Sequence, residues 1–182
     1  MSSGFKIYGV FAAIIIVLTL LQACTSENLP APSCRVNANY VSNQQGPGAC
    51  IVRLNHKLLV TQLHSGQYDL PISDSISDRS AQCSAHYEMW QQTGLNIEVE
   101  KVVGIQKNGT WLFACRLESG FDGTEAPFDP PPWSQHQIDK VAFIEPFTIE
   151  LDSWHRPDQF IVVRDGFVAS GQYQEEQAKR AQ

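Results

Sequence analysis

Apolar and polar positions alternate along residues 50–61, a run rich in Val, Leu and Ile that predicts a strand, or a hairpin turning at Asn55-His56. His64-Ser65-Gly66 signals a turn, and a short strand is expected through Tyr68 and Leu70. Residues 74–78 are polar and loop-like, and Ser77 or Asp78 is expected to cap a helix that runs to Thr93 and stops at Gly94. On that helix Ala81, Ala85, Met89 and Gln92 share one side, with Ser84, Glu88 and Gln91 beside them. Glu88, Gln91 and Gln92 therefore point roughly the same way. Residues 96–105 and 110–117 are β-rich and joined by Lys107-Asn108-Gly109, and Asn-Gly between apolar runs is a strong hairpin signal. A long loop over 118–135 contains Asp129-Pro130-Pro131-Pro132-Trp133. Further strands are expected within 141–149 and 159–163, and the tail 172–182 is charged and reads as a frayed helix.

The first residues follow a different pattern. Lys6 precedes an apolar run over 7–23 that ends in Leu21-Gln22-Ala23-Cys24. A basic start followed by an apolar core reads as a secretory signal peptide over 1–23. Its end resembles the bacterial lipobox, in which the cysteine, here Cys24, is lipidated and becomes the new N-terminus. The other reading is an uncleaved anchor, for which the run is short. Either way the expected partner is an envelope membrane, and several acyl chains on one residue hold firmly where a single chain binds only marginally. Thr25 after Cys24 leans towards the outer membrane, facing the periplasm. Residues 24–49 are expected to be the lipidated cysteine, a polar proline-bearing tether and an N-terminal loop; 50–171 are the folded domain.

Composition narrows the function classes. Thirteen Lys and Arg against 19 Asp and Glu leave a net charge of −6. With no basic cluster, nucleic acid is not an expected partner. Cys34, Cys50, Cys83 and Cys115 make an even count in an exported chain, which favours disulfides over buried thiols. Three connectivities are possible. The preferred one joins Cys34 to Cys50 across an Asn/Gln/Gly-rich loop, and Cys83 to Cys115. No cysteine spacing suits zinc. His56, His64, His86, His136 and His155 are scattered, each read as a turn or surface histidine. The G-x-S-x-G elbow, the P-loop and H-E-x-x-H are all missing from the sequence.

The stretch from Leu70 to Leu95 resembles the Nudix box, G-x5-E-x7-R-E-U-x-E-E-x-G-U with U aliphatic. With Gly94 on the closing glycine and no gaps, the opening glycine falls on Ser73, the first glutamate on Arg79, the arginine on Tyr87, and the paired glutamates on Gln91 and Gln92. Glu88 keeps its acid. Leu70-Pro71 and Thr93-Gly94-Leu95 keep the frame.

The resemblance implies an α/β (α+β) fold, a Nudix-like α/β/α sandwich around a mixed sheet, over roughly residues 50–171. It also implies hydrolysis of a diphosphate compound with Mg2+ held by the box glutamates. Magnesium wants charged oxygen ligands. Glu88 is the one remaining candidate metal ligand, and one glutamate with two amides holds Mg2+ weakly. Glu88 and Glu145 are the candidate catalytic carboxylates, with Glu98, Glu100 and Asp122 near the same cleft in the family. Trp133, Phe121 and Phe128 either line that cleft or pin the loop. The leading expectation is an envelope-anchored domain, without cofactor, that binds a diphosphate ligand or a protein partner and has lost hydrolysis. The alternatives are a divergent hydrolase acting on an envelope diphosphate, and an unrelated structural or assembly lipoprotein.

Overall fold

The alternating run at 50–61 folds as a hairpin in a computed structural model that describes residues 29–73, 78–118, 120–121, 123 and 126–182. Strand β1 (Gly48–Leu54) and strand β2 (Lys57–Leu63) turn about Asn55, whose φ of 57° is a left-handed conformation that asparagine tolerates. β3 (Tyr68–Asp69) follows on β2, then helix α1 (Ala81–Thr93). The Asn-Gly signal holds: β4 (Ile97–Ile105) and β5 (Trp111–Leu117) pair antiparallel across it. β6 (Ile138–Ile144) and helix α2 (Pro157–Arg180) complete the chain. Residues 31–182 form one compact unit, and of residues 1–30, which cluster separately, only Leu29 and Pro30 are described.

The sheet is mixed. Its order is β3-β2-β1-β5-β4, with β6 also on β2. β1 runs parallel to β5 from Gly48 opposite Trp111 to Val52 opposite Cys115, and meets β2 only at Arg53 and Leu54. Such a central parallel strand is buried on both faces. Ala49 and Ile51 face a core with Phe160, Val163 and Phe167 of α2, while Cys50 and Val52 face Ala81, Ala85 and Met89 of α1. The result is the α/β/α sandwich around a mixed sheet. α1 lies so close to β1 that a methyl group on Gly48 would sit 2.0 Å from the Ala81 carbonyl oxygen, so only glycine fits there.

Several sequence expectations change. α1 starts at Ala81, capped by Ser80, whose hydroxyl accepts from the Cys83 N–H at 3.3 Å; Asp78 lies outside the helix and Ser77 outside the described residues. Gly94 is the left-handed C-cap, as expected, and its N–H donates to Trp90 O. Residues 159–163 are not a strand. They belong to α2, because Phe160, Val163 and Phe167 recur at helical spacing over a stretch longer than the five-residue window that reads as β. α2 also runs through most of the charged tail, with Tyr173 buried at 4% exposure. β6 ends at Ile144, before Pro146.

The disulfides are Cys34–Cys83 and Cys50–Cys115, not the expected Cys34–Cys50 and Cys83–Cys115. Sheet topology decides this. Cys50 and Cys115 lie on the same face of neighbouring parallel strands, with Cα atoms 5.5 Å apart, and the crossover that makes β1 and β5 neighbours leaves no local trace. Cys34 runs beside β4, where Val36 bridges Val99, and reaches the first turn of α1. Among the described residues no helix is long and apolar enough to cross a membrane; the apolar run at 7–23 and Cys24 lie outside them.

Closing chain segments of 49 and 65 residues stabilises the fold by about 4 kcal/mol for each disulfide in the chain-entropy picture. Cys34 is exposed, whereas Cys50 and Cys115 are 0% and 2% exposed. Mild reduction of the native protein is expected to open Cys34–Cys83 first and lower Tm, while Cys50–Cys115 stays closed until the domain unfolds. Mass spectrometry of alkylated thiols during a reductant titration checks the order; simultaneous opening would count against it.

Candidate functional site

Helix α1 carries the box residues, and its packing decides where they point. Ala81, Ala85 and Met89 are fully buried against the sheet, which turns Glu88, Gln91 and Gln92 towards the chain at 72–73 and the loop at 133–137. These elements enclose a cleft of about 350 Å3 lined by Ile72, Ser73, Glu88, Gln91, Gln92, Trp133, Ser134, His136 and Gln137. The proline-rich loop is fastened over the end of α1. Pro131 sits against Gly94, where an added methyl would come within 3.1 Å, and the Trp133 indole N–H donates to Gln91 O at 3.0 Å. Trp133 thus both pins the loop and lines the cleft, tilted against Trp90 at 5.9 Å between ring centroids.

The amides beside Glu88 are engaged in hydrogen bonds. Gln92 donates through Nε2 to Ile72 O at 2.6 Å and to Glu88 Oε2 at 3.1 Å. Gln91 donates through Nε2 to the Tyr87 hydroxyl at 2.7 Å. Burial pushes the Glu88 carboxyl above the usual carboxylate range, and the Gln92 hydrogen bond and the nearby Arg79 offset this only in part. Arg79 stacks its guanidinium over the Tyr87 ring at 3.9 Å, so the positions aligned with the first glutamate and the arginine of the box contact each other as a cation–π pair.

Ser73, Glu88, Gln91 and Gln92 are therefore brought together, and Arg79 and Tyr87 stand beside them. Glu145 is elsewhere. It follows the end of β6 and lines a separate cleft of about 490 Å3 with His56, Lys57 and Phe143. Glu98 and Glu100 lie on β4 and pair with Arg116, and burial raises the Glu100 carboxyl. Asp122 lies outside the described residues. Phe121 packs on Phe128 and Phe143, away from Trp133. His86 corrects the surface reading: it is 2% exposed within α1, bonded to Asn96 at 3.0 Å, and burial lowers its pKa.

Sequence reasoning missed the adjoining cleft of about 380 Å3, which shares Ile72, Gln92, His136 and Gln137 with the first. Its floor is an ion pair in which Arg156 donates through Nε and Nη2 to Asp69 Oδ2 at 2.9 and 2.8 Å, with side chains 17% and 8% exposed. Burial still raises the Asp69 carboxyl, outweighing the pull of Arg156. His64, His136 and His155 line the rim. They converge through the pairing of β2 with β6 and the bridge between Tyr68 and Trp154, so no spacing rule could have found them.

The donor set does not fit the magnesium site that the box would imply. Among the described residues no three His, Cys, Asp or Glu side chains are grouped to hold a metal ion. Beside Glu88 stand the amides of Gln91 and Gln92, whose carbonyl oxygens carry no formal charge, whereas Mg2+ is held by charged oxygens in octahedral array.

Comparisons with known proteins agree with this architecture. No family model matches the chain. A MutT-like protein of Streptomyces ambofaciens is 26% identical over 107 residues, covering 56% of this chain and 70% of the relative. The crystal structure of an ADP-ribose pyrophosphatase from Streptococcus suis superposes with a TM-score of 0.54 at 18% identity, covering 71% of this chain and 92% of that one. That of a UDP-X diphosphatase gives 0.50 at 12% identity, covering 85% of this chain and 70% of that one. The likeness removes the reading of an unrelated fold. Identities this low speak for the fold alone, and, together with the MutT-like relative, they give this chain a Nudix-like fold.

Proposed function

We propose that the Glu88 cleft binds a diphosphate-bearing compound and holds it without metal-dependent turnover. The observation that carries this reading is the wall of the cleft. Where the box resemblance sets acids, the uncharged amides of Gln91 and Gln92 are hydrogen-bonded to Tyr87, Glu88 and the Ile72 carbonyl. Gln91 spends one amide hydrogen on the Tyr87 hydroxyl and keeps the other for a phosphoryl oxygen, which an acid at that position would repel, so the exchange that weakens a metal site suits a direct anion site.

A second reading has the comparisons on its side. The MutT-like relative and the fold shared with an ADP-ribose pyrophosphatase and a UDP-X diphosphatase favour a divergent hydrolase. In that reading Mg2+ would neutralise the diphosphate, and Glu88, its carboxyl raised by burial, would be the group suited to take a proton. Calorimetry and product analysis with ADP-ribose, with and without Mg2+, separate the two. The binding reading expects heat of binding and no AMP. AMP release that requires Mg2+ and disappears in Glu88→Gln would replace it with the hydrolase.

The chain is further proposed to be exported and anchored through lipid on Cys24, facing the periplasm, at the outer membrane in preference to the inner. Two disulfides in the domain support an oxidising compartment. Radiolabelled palmitate is expected to enter the wild-type protein and not Cys24→Ala; an unlabelled wild type would overturn the anchor.

Glu88 also makes a stability prediction. Its folded carboxyl is raised above its unfolded value, so the protonated form is the one that folding favours. The contribution from Glu88 is greatest below the unfolded value and is lost as the pH rises through the folded one. Glu88→Gln mimics the protonated form. It is expected to raise Tm measurably at pH 7.5, with the gain vanishing at pH 4. Equal Tm values at both pH values would show that Glu88 titrates as an ordinary surface acid.

A further inference from the structure

We propose that the solvent face of α2 is an interface with a second copy of this chain, whose own α2 lies alongside and runs in the same direction about a two-fold axis. The face is defined by what α2 buries. Phe160, Val163, Phe167 and Ser170 point into the domain, which turns Ile161 and Val168 outwards at 55% and 44% exposure. Seven residues separate these two, so they stand one above the other on the helix surface, at the spacing of a coiled-coil seam. Phe147, 55% exposed, extends the apolar strip from one flank, where its ring centre lies 5.8 Å from the Arg164 guanidinium.

Charge selects the occupant and its orientation. Arg164 and Asp165 follow Ile161 by three and four residues, which sets them about 50° to either side of the apolar line. Among the described residues neither forms an ion pair. Arg164 donates through Nε to Pro146 O at 2.9 Å and through Nη2 to Ile149 O at 2.7 Å, which fixes the guanidinium on its flank and leaves Nη1 over. Asp165 is exposed. A two-fold axis along the helices lays opposite flanks together. Ile161 then meets the partner's Ile161, Val168 meets the partner's Val168, and Arg164 of each copy faces Asp165 of the other at nearly the same height. An antiparallel pair instead lays like flanks together, cation on cation and acid on acid. An anionic lipid surface fits poorly, because Asp158 and Asp165 are both exposed on this helix. The strip spans only about two turns, so the association is weak, of the kind that a shared membrane makes effective by raising local concentration. The axis also keeps Cys34 of both copies at one level along it, which suits two chains anchored in one membrane as proposed above.

The test is cysteine cross-linking of the full-length protein with copper phenanthroline as oxidant. Ile161→Cys and Val168→Cys are each expected to link to their own kind much faster than Lys107→Cys, an exposed position on the β4–β5 turn that reports random collision. The parent chain, whose domain cysteines are already paired, sets the background. Adding Asp165→Lys to Ile161→Cys turns two attractions into two repulsions at an exposed site, and is expected to slow linking about tenfold. A Tm matching that of Ile161→Cys shows that the fold is intact in this double variant. Linking no faster than that of Lys107→Cys overturns the interface. Linking that appears only when Ile161→Cys and Val168→Cys are mixed overturns the parallel arrangement, and a rate indifferent to Asp165→Lys overturns the charge pairing on which the choice of a second copy rests.

Discussion

The first turn of α1 rests on the backbone of β1 at Gly48 with no room for a methyl group, and the position of the Glu88 cleft follows from that contact. A side chain at 48 would lift the start of the helix off the sheet. The lower face of α1 is then committed by Ala81, Ala85 and Met89, small or flexible residues that let the helix sit close. Once the N-terminal turn and the buried stripe are fixed, the rotation of the helix has no freedom left. Glu88, Gln91 and Gln92 must look towards 72–73 and 133–137. The proline-rich loop closes against the other end of the same helix through Pro131 on Gly94 and Trp133 on Gln91 O. One helix is thereby held at its start, along its length and at its end.

What that rigid frame presents is unusual in its charge. A diphosphate is handled by bringing positive charge or hydrogen-bond donors to its oxygens. A cluster of carboxylates can do so only by recruiting a cation. Here one half-buried carboxyl stands with two hydrogen-bonded amides, and a nearby cation, Arg79, lies on an aromatic ring. The frame and the chemistry have separated: residues that shape the loop, helix and turn are kept, and those that would carry charge to a metal are exchanged.

Local features were legible in the sequence. The Asn55 turn, the Asn108-Gly109 hairpin and the Gly94 stop are each decided within a few residues by backbone conformation, and they stand in the structure. The gapless spacing from Leu70 to Leu95 also carried, because it encodes one loop-helix-loop. Features that depend on which strands become neighbours did not. Cys50 finds Cys115 because a crossover lays β5 beside β1, and the three histidines meet because β6 returns to β2. The misreading at 159–163 has a different origin: four β-branched or aromatic residues in a row look like a strand until the longer helical period around them is counted.

The Cys34–Cys83 bond has a mechanical consequence. Cys34 lies ahead of the first strand, and Cys83 lies in the opening turn of the helix that forms the cleft wall. Tension on the chain before residue 34 therefore does not peel Val36 away from β4. It is carried by a covalent bond into the N-terminal end of α1, almost along the contact between Gly48 and Ala81. The element that shapes the cleft would also take up any load on the preceding chain, so that load and the geometry of the cleft wall share a single lever.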